Sequence, residues 1–180
     1  MTQEAYVKSL KKIRNAFLLM YFSINLGTID ILPAWLGYIL MYYSILDISK
    51  EEKTALLLKK LVTSLIVYNF MIWICKILNF NLDINIIREI FMIISIYVDF
   101  QLMTHIIDIS IRHQSKMTSK LRNVRNIHVI LLTYLSLSVY LTDYSILIIL
   151  NYIIMFICLI LVVIQIIYLN TYIKEERNLI

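Results

Sequence analysis

Apolar residues occur along this chain in long runs that short polar segments separate. A helix needs about 20 predominantly apolar residues to cross the roughly 30 Å hydrocarbon core of a bilayer. The backbone inside a bilayer must satisfy its own hydrogen bonds, which favours helices for such segments. The runs therefore predict six membrane-spanning helices, at about 13–29, 33–47, 61–78, 86–110, 127–141 and 145–169.

The polar segments indicate how these spans are connected. Ser49-Lys50-Glu51-Glu52 has the spacing of a capping box and predicts the start of the helix that carries the third span. The segment 79–83 and the pair Thr142-Asp143 predict turns, and 112–125 predicts a basic loop. The expected fold is all-α: one transmembrane domain over residues 1–180, a helical bundle of six spans arranged as three hairpins.

Composition narrows the class of protein. Hydrophobic residues make up 61% of the 180 residues, and charged residues make up 16%. Soluble domains are usually about 45–50% apolar, and a chain of this size cannot bury the excess. This composition excludes a soluble enzyme, a nucleic-acid-binding domain, a disordered tail and a secreted disulfide scaffold, and it indicates an integral membrane protein.

The positions of the basic residues predict an orientation. Lys and Arg accumulate in cytoplasmic loops. With the N-terminus inside, the segments 8–14, 50–60, 112–125 and 174–177 would hold 15 of the 17 basic residues on the cytoplasmic side. We therefore expect both termini in the cytoplasm. The net charge of +5 then reflects topology and contact with the lipid bilayer, and we expect no nucleic-acid partner.

Every glycine and the only proline of the chain lie where the first two predicted spans meet. Both glycines and the single proline lie within eleven residues, as Gly27, Pro33 and Gly37. Asp30 has the chemistry to cap the following helix, and Gly37 would let a neighbouring helix approach closely. Trp35 suits the interface between membrane and water.

Two interpretations of this segment stay open. One is a tight outer turn between two short spans. The other is a broken-helix or re-entrant element that lines a binding site, as discontinuous helices do in transporters. Tyr38, like Trp35, is expected at the membrane interface.

The stretch Asn25–Leu40, which contains IDILPAWLGYIL, resembles an element of a family of small uncharacterised bacterial multi-pass membrane proteins. The resemblance covers about 16 residues and implies a location in the bacterial cytoplasmic membrane. It implies no activity.

Polar residues inside the fourth predicted span form the main candidate site. Ionisable groups within a membrane are costly and often functional. Gln101, His105 and Asp108 share one helical face, and Asp99 lies on the opposite face near the midplane, with Asn69 of the third span at a similar depth. Three roles for these residues stay open. They are structural hydrogen bonding between helices, a proton or cation relay through Asp99 and His105, and catalysis.

The sequence gives no pattern for catalysis or metal binding. His113 and His128 flank the basic loop and are expected to face solvent or headgroups. Asp99 and Asp108 lie on opposite faces of one helix and cannot form the facing pair of an aspartyl protease. Two glycines exclude a glycine-rich phosphate loop. We therefore expect no enzyme activity, metal or other cofactor.

These features predict a noncatalytic multi-pass membrane protein that serves as an accessory, immunity, assembly or sensory subunit, with another membrane-protein subunit as its partner. The alternative is a small transporter or substrate-binding membrane subunit with a proton- or cation-linked polar site on the fourth span. A polar cavity that reaches Asp99 would favour transport. A dry core with an exposed apolar groove would favour the accessory role.

Overall fold

The computed structural model describes residues 2–22, 25–26, 29–30, 33–78, 80, 85–138 and 145–179. These residues form six α-helices, one short 3₁₀ helix at Lys53–Leu57, and two two-residue strands. The helices are α1 Gln3–Tyr21, α2 Ala34–Ile48, α3 Leu58–Ile77, α4 Asn85–Arg112, α5 Thr118–Ser138 and α6 Ser145–Arg177. The strands β1 Asn25–Leu26 and β2 Ile29–Asp30 pair antiparallel, with Asn25 opposite Asp30.

The helices pack as a closed ring. Each helix contacts the next one along the chain, and α6 returns to contact α1. Buried residues from α1, α2, α3, α4, α5 and α6 form one continuous hydrophobic core inside this ring.

Among the described residues, three helices are long and apolar enough to cross a membrane by length and composition, namely those at Lys53–Ile77, Ile86–Arg112 and Leu147–Arg177. The apolar helix Ala34–Ile48 is shorter. The predicted helical fold class is therefore confirmed, and these three helices are compatible with the predicted membrane spans.

The first helix differs from the predicted span at 13–29. It begins at Gln3, where Thr2 Oγ1 accepts a hydrogen bond from the Ala5 N–H, and it ends at Tyr21. The polar N-terminal segment is helical because one face of it is apolar and buried. The prediction of a helix to residue 29 was wrong, since β1 and β2 occupy the segment that follows.

The capping box predicted at Ser49 is also absent. Ser49 ends α2, and its hydroxyl donates to the Leu46 carbonyl over 2.9 Å. Glu52 has extended backbone geometry and precedes the 3₁₀ helix instead. Because the chain stays near helical geometry through Ser49, this serine cannot act as an N-cap.

The last two helices extend beyond their apolar runs. Helix α5 starts nine residues before the predicted span, which shortens the basic loop and puts Arg122 and Arg125 on a helix. Helix α6 continues through the predicted tail to Arg177. Both extensions bury a stripe of side chains at helical spacing, including Leu121 and Val124 on α5 and Tyr172 on α6.

Candidate functional site

A buried hydrogen bond joins α1 to α4 inside the bundle. The Tyr21 hydroxyl donates to Asp99 Oδ2 over 2.8 Å. Tyr21 is the last residue of α1, and Asp99 lies halfway along α4 with only 5% of its surface exposed. The pair therefore connects two helices that are not neighbours in the ring.

A second hydrogen bond adds α2 to this site. The Tyr38 and Ser95 hydroxyls lie 2.7 Å apart, and Ser95 is one helical turn before Asp99 on the same face of α4. Tyr38 is buried between the helices, and its hydroxyl has a partner on α4. Helices α1, α2 and α4 thus meet through polar groups.

Helix α5 contributes His128. Its ring centroid lies 5.9 Å from that of Tyr21, and the residue is 5% exposed. The prediction that His128 faces solvent or headgroups was wrong, because α5 begins early enough to turn this side chain into the core. We call Tyr21, Tyr38, Ser95, Asp99 and His128 the interior polar cluster.

Two atoms of the interior polar cluster are buried without a hydrogen-bond partner among the described residues. They are Asp99 Oδ1 and His128 Nε2. Groups of this kind can form hydrogen bonds or exchange a proton. Within the described part of the chain, no group of three His, Cys, Asp or Glu side chains is placed to hold a metal ion.

The other polar residues predicted for this site lie elsewhere. Asn69 Nδ2 donates to the Leu65 carbonyl of its own helix over 2.8 Å. His105 is buried and Gln101 is half-buried, whereas Asp108 is exposed. The structure therefore assembles the site from tyrosines on α1 and α2 rather than from Asn69, Gln101, His105 and Asp108.

The helix-breaking segment has a defined geometry at its described residues. Pro33, rather than Asp30, occupies the N-cap position of α2, so the predicted capping role of Asp30 was wrong. Asp30 belongs to β2, and Gly27 lies outside the described residues. Trp35 packs edge-on against Phe70 and Trp73 of α3, with ring centroids 5.4 and 5.9 Å away.

Gly37 lies directly against the backbone of α1. A Cβ added to Gly37 would lie 2.5 Å from Met20 Cγ and 2.8 Å from the Ala16 carbonyl oxygen. The close approach expected at this glycine is therefore present, and any side chain there would collide with the α1 backbone.

A polar cluster at one end of the bundle was not predicted from the sequence. Glu176 is 1% exposed, accepts a 3.2 Å hydrogen bond from Gln3 Nε2, and lies 3.0 Å from His113 Nδ1. Beside it the Tyr6 and Tyr172 hydroxyls are 3.1 Å apart. Burial raises the pKa of Tyr6 above its usual value. We call these five residues the terminal polar cluster, and it connects α1, α4 and α6.

A sequence signal for Glu176 does exist. It follows the buried residues Leu169, Tyr172 and Ile173 at spacings of seven, four and three, which is one face of a helix. A helix continued past residue 169 would have placed Glu176 on that buried face. The prediction that His113 faces solvent or headgroups was incomplete, because its ring contacts Glu176 while remaining 31% exposed.

The grooves that the described residues line include three on the surface of the bundle. An apolar groove of about 340 Å³ lies between α4 and α5 and is lined by residues that include Ile93, Tyr97, Phe100, Val129, Thr133 and Leu137. A second groove, which includes Glu89 and Asn151, lies between α4, α5 and α6. A basic groove contains Lys8, Lys11 and Arg177. Asp99 lines none of the three.

Comparison of the chain with protein-family models, with curated proteins and with solved structures finds no match.

Proposed function

We propose that this chain is a noncatalytic multi-pass protein of the bacterial cytoplasmic membrane, an accessory, immunity, assembly or sensory subunit that acts through contacts with lipid and with another membrane-protein subunit. In this proposal six helices span the bilayer and both termini are cytoplasmic. Helices α3, α4 and α6 are the long spans, and α1, α2 and α5 complete the ring around the core.

The distribution of ion pairs supports the proposed orientation. Lys12 Nζ lies 2.8 Å from Asp47 Oδ2, which joins the middle of α1 to the end of α2. Arg112 lies 3.2 Å from Glu52, which joins the end of α4 to the segment before α3. These contacts and the terminal polar cluster share the end of the bundle that holds most basic residues. A basic, hydrated end fits the cytoplasmic face of a membrane.

One observation carries the noncatalytic role. Asp99 is buried, its Oδ2 is held by the Tyr21 hydroxyl, and it lines none of the three surface grooves. A carboxyl in that setting stabilises the contact between α1 and α4, which supports a structural role for it. The exposed apolar groove between α4 and α5 supports the same role, because apolar grooves serve for contact with lipid or another helix.

A second candidate function also has a specific observation in its favour. Asp99 Oδ1 and His128 Nε2 are both buried without partners among the described residues. A small transporter or substrate-binding subunit could use such a carboxyl and imidazole as a proton- or cation-linked site.

Proton flux into vesicles separates the two candidates. The purified protein would be reconstituted into vesicles that contain a pH-sensitive dye, with a proton gradient imposed across the bilayer. The accessory role predicts the same flux for wild type, Asp99→Asn and empty vesicles. Flux through the wild-type protein that Asp99→Asn abolishes would contradict the proposal and support the transporter.

Thiol accessibility tests the topology. Phe80→Cys, between α3 and α4, and Lys120→Cys, at the start of α5, would each be made in a Cys75→Ser, Cys158→Ala background. An impermeant thiol reagent added to intact cells should label position 80 and leave position 120 unlabelled. Labelling at position 120 would contradict the proposed orientation.

A further inference from the structure

We propose that the groove between α4 and α5 binds one acyl chain of an anionic phospholipid, whose headgroup phosphate contacts Arg125. This proposal rests on the membrane location proposed above and adds a specific ligand to it.

The lining of the groove suits a hydrocarbon chain. Ile93, Tyr97 and Phe100 on α4 face Val129 and Leu137 on α5. Thr133 also lines the groove, but its hydroxyl donates to the Val129 carbonyl over 2.8 Å and needs no ligand. Ile93, Tyr97 and Leu137 are exposed, so the groove opens on the outer surface of the bundle, where lipid would surround it.

The apolar part of the groove is short. Ile93 and Phe100 are seven positions apart, which is about 10 Å at the α-helical rise per residue. An extended hydrocarbon chain can lie along an open groove of this length and of about 340 Å³.

Arg125 closes one end of the groove. Its guanidinium carbon lies 4.6 Å from the centre of the Phe100 ring, which lines the groove, and its Nη1 donates to Thr104 Oγ1 over 2.8 Å. Thr104 is one helical turn beyond Phe100 on the same face of α4. The arginine therefore lies at the depth where the apolar lining ends.

The positive charge of Arg125 has no ion-pair partner among the described contacts, so it is available to bind an anion. Its hydrogen bonds go to the neutral oxygens of Thr104 and Asn126. Asp108 acts on it electrostatically but is exposed and makes no ion pair with it among the described contacts. Arg122, one turn earlier on α5, adds a second positive charge. Arginine binds phosphate oxygens with two parallel N–H donors, which is the chemistry of a phospholipid headgroup.

The groove and Arg125 follow each other in the order that a phospholipid requires. The apolar lining runs from Ile93 to Phe100, and Arg125 comes next, toward the end of α4 that is cytoplasmic in the proposed topology. Basic pockets between helices on the cytoplasmic side are typical binding sites for anionic lipids.

Native mass spectrometry tests the site. Detergent-purified wild type, Arg125→Gln and Thr133→Trp would be titrated with phosphatidylglycerol and, separately, with phosphatidylcholine. Arg125→Gln removes the phosphate ligand, and Thr133→Trp fills the groove at an exposed position. Lys116→Gln is the matched control, since it removes an exposed positive charge from the loop between α4 and α5. Carbonate extraction and a monodisperse elution profile establish first that each variant is membrane-inserted and folded.

The expected result is one phosphatidylglycerol retained by the wild type and by Lys116→Gln. Arg125→Gln should bind it about tenfold more weakly, the loss expected from one charge-assisted contact. Thr133→Trp should also bind it more weakly, because the indole ring occupies the space of the acyl chain. Equal retention by the wild type and both site variants would overturn the proposal. So would unchanged lipid retention combined with loss of a co-purifying subunit from Thr133→Trp, which would assign the groove to a partner helix. Extraction of the wild type by carbonate would instead contradict the membrane location itself.

Discussion

The hydroxyl of Tyr21 and the carboxyl of Asp99 form a 2.8 Å hydrogen bond across the interior of the bundle. The two residues are 78 positions apart, and their helices are not sequential neighbours. Because α1 ends at Tyr21, the bond also holds the point where the chain leaves the helix and enters the strand pair.

Removing the donor of this bond should destabilise the protein. Tyr21→Phe leaves a buried carboxyl without its partner, and we expect a loss of about 1–3 kcal/mol in the free energy of unfolding. Asp99→Leu should lose a similar amount by leaving the Tyr21 hydroxyl unpaired. Asp99→Asn keeps an oxygen that accepts the bond and should fold with nearly wild-type stability.

Thermal unfolding of the purified proteins in detergent measures these differences. Tyr43→Phe is the matched control, because the Tyr43 side chain is 54% exposed and removal of its hydroxyl should change little. Wild-type stability in Tyr21→Phe, or strong destabilisation in Asp99→Asn, would show that the hydrogen bond does not have this structural role.

Adding a single methyl group at Gly37 should disrupt the packing of α1 against α2. Gly37→Ala introduces a Cβ at 2.8 Å from the Ala16 carbonyl oxygen, and relief requires the two backbones to separate. Overpacking of this kind typically costs about 1–3 kcal/mol, and Gly37→Leu should be worse. The measurement is the yield of folded protein and its unfolding temperature.

A second-site variant tests the cause of that loss. Met20→Ala removes the side chain that lies 2.5 Å from the added Cβ but leaves the Ala16 carbonyl in place. The double variant Met20→Ala/Gly37→Ala should therefore remain less stable than Met20→Ala alone. Equal stability of these two proteins would indicate that a flexible side chain, and not the backbone, limits the approach.

The sequence predicted where helices occur better than where they end. Long apolar runs identify segments that lipid or a core can cover, whatever the tertiary packing. Helices α1 and α6 extend into polar segments because one face of each helix is buried there. Tyr6 lies on the buried face of α1, and Tyr172 lies on that of α6. A prediction from runs of apolar residues averages over all faces of a helix. It therefore misses a helical segment whose apolar residues lie on one face only.

The interior polar cluster was predictable in part. A lone carboxyl in an apolar run identified Asp99, because such a group is costly in a membrane. Its partner Tyr21 was not identifiable, since tyrosine is common at membrane interfaces and nothing local connects residues 78 positions apart. His128 was misplaced because its basic neighbours suggested a loop, whereas the helix already begins at Thr118.

Truncation of Glu176 should loosen the terminal polar cluster. Glu176→Ala leaves Gln3 and His113 without their buried acceptor, which should cost about 1–3 kcal/mol. Glu176→Gln can still accept from Gln3 and should cost less. Glu4→Ala, at an exposed position of α1, should stay within about 0.5 kcal/mol of the wild type. Chemical or thermal unfolding in detergent would measure the series, and equal effects of Glu176→Ala and Glu4→Ala would contradict a structural role for the cluster.

Glu52 should make stability depend on pH at the basic end of the bundle. The hydrogen bond from Thr54 Oγ1 at 2.6 Å, followed by the charge and hydrogen bond of Arg112, holds the pKa of Glu52 below its ordinary value of 4.5. The unfolded chain then binds a proton at a higher pH than the folded protein does. The contribution of Glu52 to stability is therefore fully present above pH 4.5 and is lost as the pH falls through the lowered folded pKa.

The difference in unfolding temperature between wild type and Glu52→Gln isolates this group from the other carboxyls. We expect the wild type to be more stable near neutral pH by no more than about 1 kcal/mol, because the Glu52 side chain is partly exposed and solvent screens its ion pair. That advantage should shrink as the pH is lowered from about 6 to about 3. Thr54→Val should move the loss to higher pH, because it removes the strongest contact that lowers the Glu52 pKa. An advantage that stays constant across this range would show that Glu52 has the same pKa in the folded and unfolded protein.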